Sequence, residues 1–306
     1  MDNSHQHQLI AEINELRKEK NAIILAHYYQ PSEIQDIADF VGDSLQLAQK
    51  AAATEADVIV FCGVHFMAES AAILSPDKIV LLPEINAGCP MADMVDAESL
   101  REEKAKYPGI KVVCYVNSSA EVKAESDICC TSSNAQKVVE SLSDHEILFV
   151  PDENLGRFVA AKTNKTLKYW SGFCPTHHRL SNEGVQKRRQ EHPEAKVLVH
   201  PECREEVWKA ADYVGSTAGI IKCAESSPDK EFIIGTECGI LHELQRRCPD
   251  KKFYMASDDM SCPNMKKTSL LKVRDALRNL SPQITVPEEI SQKAIGALEK
   301  MLNVSK

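Results

Sequence analysis

Three cysteines in this chain end apolar runs and are followed at once by proline: Cys89-Pro90 in NAGCPMADM, Cys174-Pro175 in WSGFCPTHH and Cys262-Pro263 in MSCPNMK. The first two lie 85 residues apart and the next two 88. Three thiolates with no fourth partner and no local C-x-x-C suit a [4Fe–4S] cube with one iron left open better than a closed tetrahedral zinc site. The competing reading is three small core thiols. A fourth pair, Cys248-Pro249, follows a helical stretch, has no counterpart elsewhere in the chain and is set aside as coincidence.

Other residues carry compatible chemistry. In HPE, His200 and Glu202 can share one face of a strand end and act as general acid and base near neutral pH. A structural histidine capped by a carboxylate is the alternative. The loops VGDSL, CCTSSNA and VGSTAGI each open a helix, where hydroxyls and free N–H groups favour a carboxylate or phosphate. Taken singly, each is an ordinary N-cap. His177, three residues after Cys174, is placed to support a metal ligand, and His178 reads as surface. Neither G-x-x-x-x-G-K-[ST] nor G-x-G-x-x-G occurs, so nucleotide binding has little support.

These residues need strands and helices to bring them together. Nine short apolar runs alternate with helical stretches: NAIILAH, DVIVFCG, KIVLLPE, IKVVCYV, HEILFVP, LKYWSG, AKVLVHP, EFIIGTE and KFYMASD. Such runs indicate parallel strands covered on both faces. Residues 27–44, 115–132 and 200–217 align without gaps, with Asp39, Asp127 and Asp212 at one offset. The chain therefore reads as α/β, with three pseudo-three-fold-related βαβαβ domains. Each is expected to be a three-layer α/β/α unit with a short parallel sheet, and the active site to lie at the central interface. The expected boundaries are an N-terminal helix over 1–20, repeats over 21–108, 109–193 and 194–280, and a C-terminal helix over 281–306. The alignment makes His27, Tyr115 and His200 equivalent, likewise Tyr29, Asn117 and Glu202, and likewise Ser44, Ser132 and Thr217. Ligands of open parallel sheets bind beyond the carboxyl ends of the strands, where the three cysteines also fall.

The bulk composition restricts the alternatives. The 306 residues carry a net charge of −9, with 43% hydrophobic and 26% charged residues, and no basic segment argues for nucleic acid or an anionic membrane. No apolar run reaches the ~20 residues of a membrane helix, and the N-terminus lacks a signal-peptide core, so a cytoplasmic protein is expected. Eleven cysteines without a secretion signal argue for reduced thiols rather than a disulfide framework. Cys114, Cys129, Cys130, Cys203, Cys223 and Cys238 break the three-fold register and read mostly as buried packing.

The stretches AHYYQP, GDSLQLA, FCGVHFMAESA, NAGCPMADM, YVNSSAEVKA, CTSSNA, PDENLG, WSGFCPTHH, HPEC, VGSTAGI, GTECGI and MSCPNMK, from Ala26 to Lys267, resemble quinolinate synthase, the iron–sulfur enzyme of bacterial and archaeal NAD biosynthesis. The resemblance implies three βαβ-type domains about a pseudo-three-fold axis. It implies that Cys89, Cys174 and Cys262 hold a [4Fe–4S] cluster with one iron free for substrate. It implies that His27, Tyr29, Ser44, Tyr115, Asn117, Ser132, His200, Glu202, Ser216 and Thr217 meet the substrate, with Tyr29, His200 and Glu202 as proton carriers. The implied reaction condenses iminoaspartate with dihydroxyacetone phosphate to quinolinate, phosphate and water, with an aspartate oxidase or dehydrogenase as supplier. Beside it stand a cluster-dependent hydro-lyase of di- or tricarboxylates, an iron–sulfur sensor and a structural zinc protein.

Overall fold

Strands with no polar face belong in the middle of parallel sheets, where helices cover both sides. The computed structural model describes residues 3–305 and builds three such sheets, each with four parallel strands. The first holds β1 (Ala22–His27), β2 (Phe40–Gly42), β3 (Val58–Cys62) and β4 (Ile79–Leu81) in the order β2-β1-β3-β4. The second holds β5 (Lys111–Tyr115), β6 (Ile128–Cys130), β7 (Glu146–Val150) and β8 (Thr166–Tyr169), ordered β6-β5-β7-β8. The third holds β9 (Lys196–Val199), β10 (Tyr213–Val214), β11 (Glu231–Gly235) and β12 (Lys252–Met255), ordered β10-β9-β11-β12. In each sheet the chain switches direction between the first and third strands, and a crevice opens there beyond the carboxyl ends.

All nine expected runs are strands. The structure adds β2, β6 and β10, which the sequence reading left in loops. At two or three residues they are too short to show any period. They are pinned instead by the aligned aspartates. Asp39, Asp127 and Asp212 each accept a hydrogen bond at 2.8 Å from the backbone N–H of Ile24, Val112 and Val197, respectively. The backbone N–H of each aspartate returns a bond to the carbonyl of the same residue at 2.9, 3.1 and 2.9 Å. This two-way clamp fixes the register of the edge strand and, with it, the loop that follows. Arg17, Lys111 and Arg189 each neutralise one of the three carboxylates.

Alternation along β1 sends Ile24 and Ala26 to one layer and Leu25 to the other. The first pair packs with Leu9 and Ile13 of helix Asn3–Glu19 and with Val273 and Leu277 of helix Leu270–Asn279. Leu25 joins a central core that runs through the second sheet and takes in Ala294, Leu298 and Met301 of helix Glu288–Val304. That helix lies across helices His65–Leu74 and Ala120–Ala124, tying the first repeat to the second. No helix among the described residues is long and apolar enough to cross a membrane.

Candidate active site

The carboxyl ends of the three sheets face one another across a cavity of about 150 Å³. Of the thirteen residues singled out in the sequence, twelve line it: His27, Tyr29, Ser44, Cys89, Tyr115, Asn117, Ser132, Cys174, His200, Glu202, Thr217 and Cys262. Ser216 stands off the wall. Its hydroxyl caps Gly219 N at 3.1 Å and lies 2.8 Å from the Ser133 hydroxyl, which donates to Asp43 at 2.5 Å. Asp43, Ser133 and Ser216 thus join the three repeats at one point. They are the second-loop residues whose interaction across domains the alignment did not reveal.

The cysteines sit in loops past the last strand of each sheet rather than on strand ends, and each has the same local geometry. Backbone N–H groups of Met91 and Ala92 point at the Cys89 sulfur, that of His177 at Cys174, and those of Asn264 and Met265 at Cys262. The proline explains this turn. It lacks an N–H and fixes φ, so the next free N–H groups fold back onto the sulfur as they would onto an N-cap oxygen. Burial still pushes all three thiols up, Cys89 to about 12; Cys262 raises Cys89 further, and Cys89 raises Cys174. The backbone N–H of Cys174 donates to Asp152 at 3.2 Å and that of Cys262 to Glu237 at 3.0 Å. Both carboxylates are fully buried and occupy the same place, two residues past β7 and β11; past β3 the place is taken by Val64. Lys266 pairs with Glu237 at 2.9 Å and donates to the Tyr29 carbonyl at 2.5 Å, tying the Cys262 loop to the first repeat.

This donor set fits an iron–sulfur cluster. Three soft thiols line the one cavity and receive backbone N–H donors. Among the described residues the one set of three ligating atoms within 4.8 Å of one another is Cys174, His177 and Glu202, so the three cysteines are spread too widely for a single tetrahedral ion. Cys248 is buried behind a helix end, away from the cavity.

Beside Cys174 runs a hydrogen-bonded chain through all three repeats. Tyr29 OH meets Thr217 Oγ1 at 2.7 Å and Thr236 Oγ1 at 2.6 Å. Thr236 Oγ1 lies 2.9 Å from His177 Nε2, His177 Nδ1 lies 2.7 Å from Glu202 Oε2, and Tyr115 OH donates to Glu202 Oε1 at 2.5 Å. Burial pushes the Glu202 carboxyl up, but His177, His200 and the hydrogen bonds from His177 and Tyr115 outweigh it and hold the group below the usual carboxylate range. Burial drives the phenols of Tyr29 and Tyr115 well above theirs, so both remain protonated donors.

His200 is not paired with Glu202 in the way its spacing suggested. β9 ends at Val199, and His200 to Cys203 form a turn in which Glu202 N–H donates to His200 Nδ1 at 3.3 Å. His27 makes the matching bond with Tyr29 N–H at 3.1 Å. Accepting at Nδ1 leaves the proton on Nε2, which for His200 faces Ser132 Oγ at 3.2 Å. Burial lowers both imidazoles to about 3, so both are neutral at physiological pH. The partner of Glu202 is His177. Thr236 was missed altogether, because the alignment covered the first strand of each repeat and Thr236 follows the third of its own, β11.

Asn117 Oδ1 is buried with no hydrogen-bond partner among the described residues, an acceptor open to an N–H or O–H. Helices Ser44–Ala53 and Thr217–Ser226 start at the wall, and Arg179 is the one arginine or lysine among the lining residues described. Anionic groups are the natural occupants of such a wall. The remaining cysteines conform to the packing expectation in part. Cys114, Cys129, Cys130 and Cys203 are buried, whereas Cys223 and Cys238 are half-buried.

A family model described as "Quinolinate synthetase A protein" matches residues 11–303. The chain is 57% identical over 299 residues to a protein of Methanosarcina barkeri named quinolinate synthase, covering 98% of each chain. It is 58% identical over 296 residues to the quinolinate synthase of Desulforudis audaxviator, covering 96% of this chain and 98% of that one. It is 57% identical over 293 residues to that of Dehalococcoides mccartyi, covering 96% and 97%.

Proposed function

Because the chain belongs to the quinolinate synthetase A protein family, a family of enzymes, we propose that it makes quinolinate for NAD biosynthesis by condensing iminoaspartate with dihydroxyacetone phosphate, releasing phosphate and water. One observation carries the reading. A single cavity holds three thiols together with an ionised carboxylate at the end of a hydrogen-bonded relay.

In this reading Cys89, Cys174 and Cys262 hold a [4Fe–4S] cluster. When bound, that group supplies Lewis acidity at its open iron, making a substrate hydroxyl a better leaving group. The remaining roles belong to side chains of the chain itself. The helix starts at Ser44 and Thr217, with the hydroxyls of Ser44 and Ser132, take the carboxylates and the phosphate, and Arg179 adds its charge at the wall. Asn117 Oδ1 accepts from the substrate nitrogen. His27 and His200, neutral and locked in one tautomer, orient the substrate through Nε2–H.

Glu202 removes the proton that turns the imine into its enamine, whose carbon attacks the triose. Tyr115 steadies the carboxylate between transfers. His177, Thr236 and Tyr29 pass protons along the wall to the group that leaves. His200 donates a hydrogen bond through Nε2–H, and its burial makes it a weak proton acceptor beside Glu202.

Anaerobically purified chain, given iminoaspartate and dihydroxyacetone phosphate, is expected to yield quinolinate by chromatography, with about four irons and four sulfides per chain. A full complement of iron and sulfide with no quinolinate would sink the reading in favour of a hydro-lyase.

A further inference from the structure

Cys174 is the N-cap of the short helix Pro175–His178, and His177 follows it on that helix three residues later, near enough for the two side chains to meet. Glu202 reaches the pair from the third repeat. The sulfur of Cys174 is 3.2 Å from His177 Nδ1, which is 2.7 Å from Glu202 Oε2, and all three ligating atoms fall within 4.8 Å of one another. We propose that these residues form a binding site for one divalent transition-metal ion of borderline softness, such as Zn²⁺, which fills when the chain carries no cluster.

Around a tetrahedral ion with bonds of about 2.0–2.3 Å, the S–N and N–O separations are about 3.5 and 3.4 Å. The observed distances are a few tenths of an ångström to about 0.7 Å shorter, so small rotamer shifts admit the ion. The second layer is already built. His177 directs Nε2 at Thr236 Oγ1, 2.9 Å away, which leaves Nδ1 for the metal, and a hydrogen-bonded far nitrogen is the usual support of a ligating histidine. Tyr115 OH occupies Glu202 Oε1 and leaves Oε2 free. Thiolate and carboxylate together cancel the charge of a divalent ion, so a neutral complex forms in a buried wall. Sulfur and imidazole donors select Zn²⁺, Co²⁺ or Fe²⁺ over Mg²⁺ and Ca²⁺. The fourth position opens on the cavity. The set shares only Cys174 with the cluster assignment and does not depend on it, and ion and cluster exclude each other. The ion also takes Glu202 out of proton transfer.

Full-length chain stripped of iron by a chelator is titrated with Co²⁺ alone. The expected result is one Co²⁺ per chain, with a thiolate-to-metal charge-transfer band and the visible bands of a tetrahedral ion, both abolished by Zn²⁺. A Cys89→Ser/Cys262→Ser double variant should bind as wild type, and Cys174→Ser should lose the charge-transfer band. His177→Ala should weaken binding about 100-fold and Thr236→Val, which leaves the backbone untouched, about 10-fold. The proposal is overturned if wild type shows no thiolate band, if the double variant loses binding as Cys174→Ser does, or if His177→Ala and Glu202→Gln bind like wild type. A wild-type chain that binds Co²⁺ in this way but never assembles iron and sulfide would remove the cluster reading alone.

Discussion

The hydroxyl of Tyr115 stands 2.5 Å from Glu202 Oε1, and this bond joins the second sheet to the third inside the cavity. Its short length and burial make it a charge-assisted bond that holds the carboxylate ionised. Glu202→Gln should therefore lower kcat by about 10² or more while leaving the iron–sulfur absorption unchanged. Tyr115→Phe should lower it about 10–100-fold and raise the acidic limb of the kcat profile. Near-wild-type turnover of Glu202→Gln would remove it from proton transfer.

Thr236 links Tyr29 to His177 by hydrogen bonds. Thr236→Val keeps the shape and deletes the link. We expect kcat to fall about 10-fold with KM little changed. A change in KM alone would mean that Thr236 shapes the pocket and passes no proton.

Cys89→Ser, Cys174→Ser and Cys262→Ser should each lose stable iron and sulfide, because no other thiol lines the cavity among the described residues. Cys248→Ser should retain both. Loss of iron in Cys248→Ser with retention in the other three would overturn the ligand assignment.

Asp152 and Glu237 fix the backbones of two of these cysteines. Asp152→Ala should release iron to a chelator about 10-fold faster, and Asp152→Asn, which keeps one acceptor oxygen for the N–H groups of Leu155 and Cys174, should restore part of the retention. Glu237→Gln leaves Lys266 without its counter-charge and should cost about 1–3 kcal/mol of stability. Equal release rates for Asp152→Ala and wild type would show that the N–H bond does not hold the loop.

Burial lowers His27 and His200 to about 3 in the folded chain. Above pH 6.5 both are neutral, folded or unfolded. Below it the unfolded chain takes up protons that the fold refuses until about pH 3, so stability falls with pH across that window by ~1.4 kcal/mol per unit for each histidine. Urea unfolding of iron-free His27→Gln at pH 6, 5.5, 5 and 4.5 should give a slope shallower than wild type by about that amount. An identical slope would show that His27 does not bear this cost.

The sequence alone determined which residues take part. Nine strands, the aligned aspartates and the three Cys-Pro loops follow from period, register and local turn chemistry, all of which are short-range properties of the chain. Twelve of the thirteen candidates read from these patterns line one cavity. What the tertiary structure decided is who faces whom. Glu202 pairs more closely with His177, at 2.7 Å, than with His200, at 3.8 Å, because the turn after Val199 spends the His200 Nδ1 on the backbone N–H of Glu202 itself. Ser216 turns from the cavity because it caps its own helix and meets Ser133 of another repeat. Thr236, Asp152 and Glu237 gain their roles from partners on other loops, 22 to 207 residues away in sequence. Side-chain pairing at that range is set by how three sheets close on a common axis, and no local period in the chain encodes that.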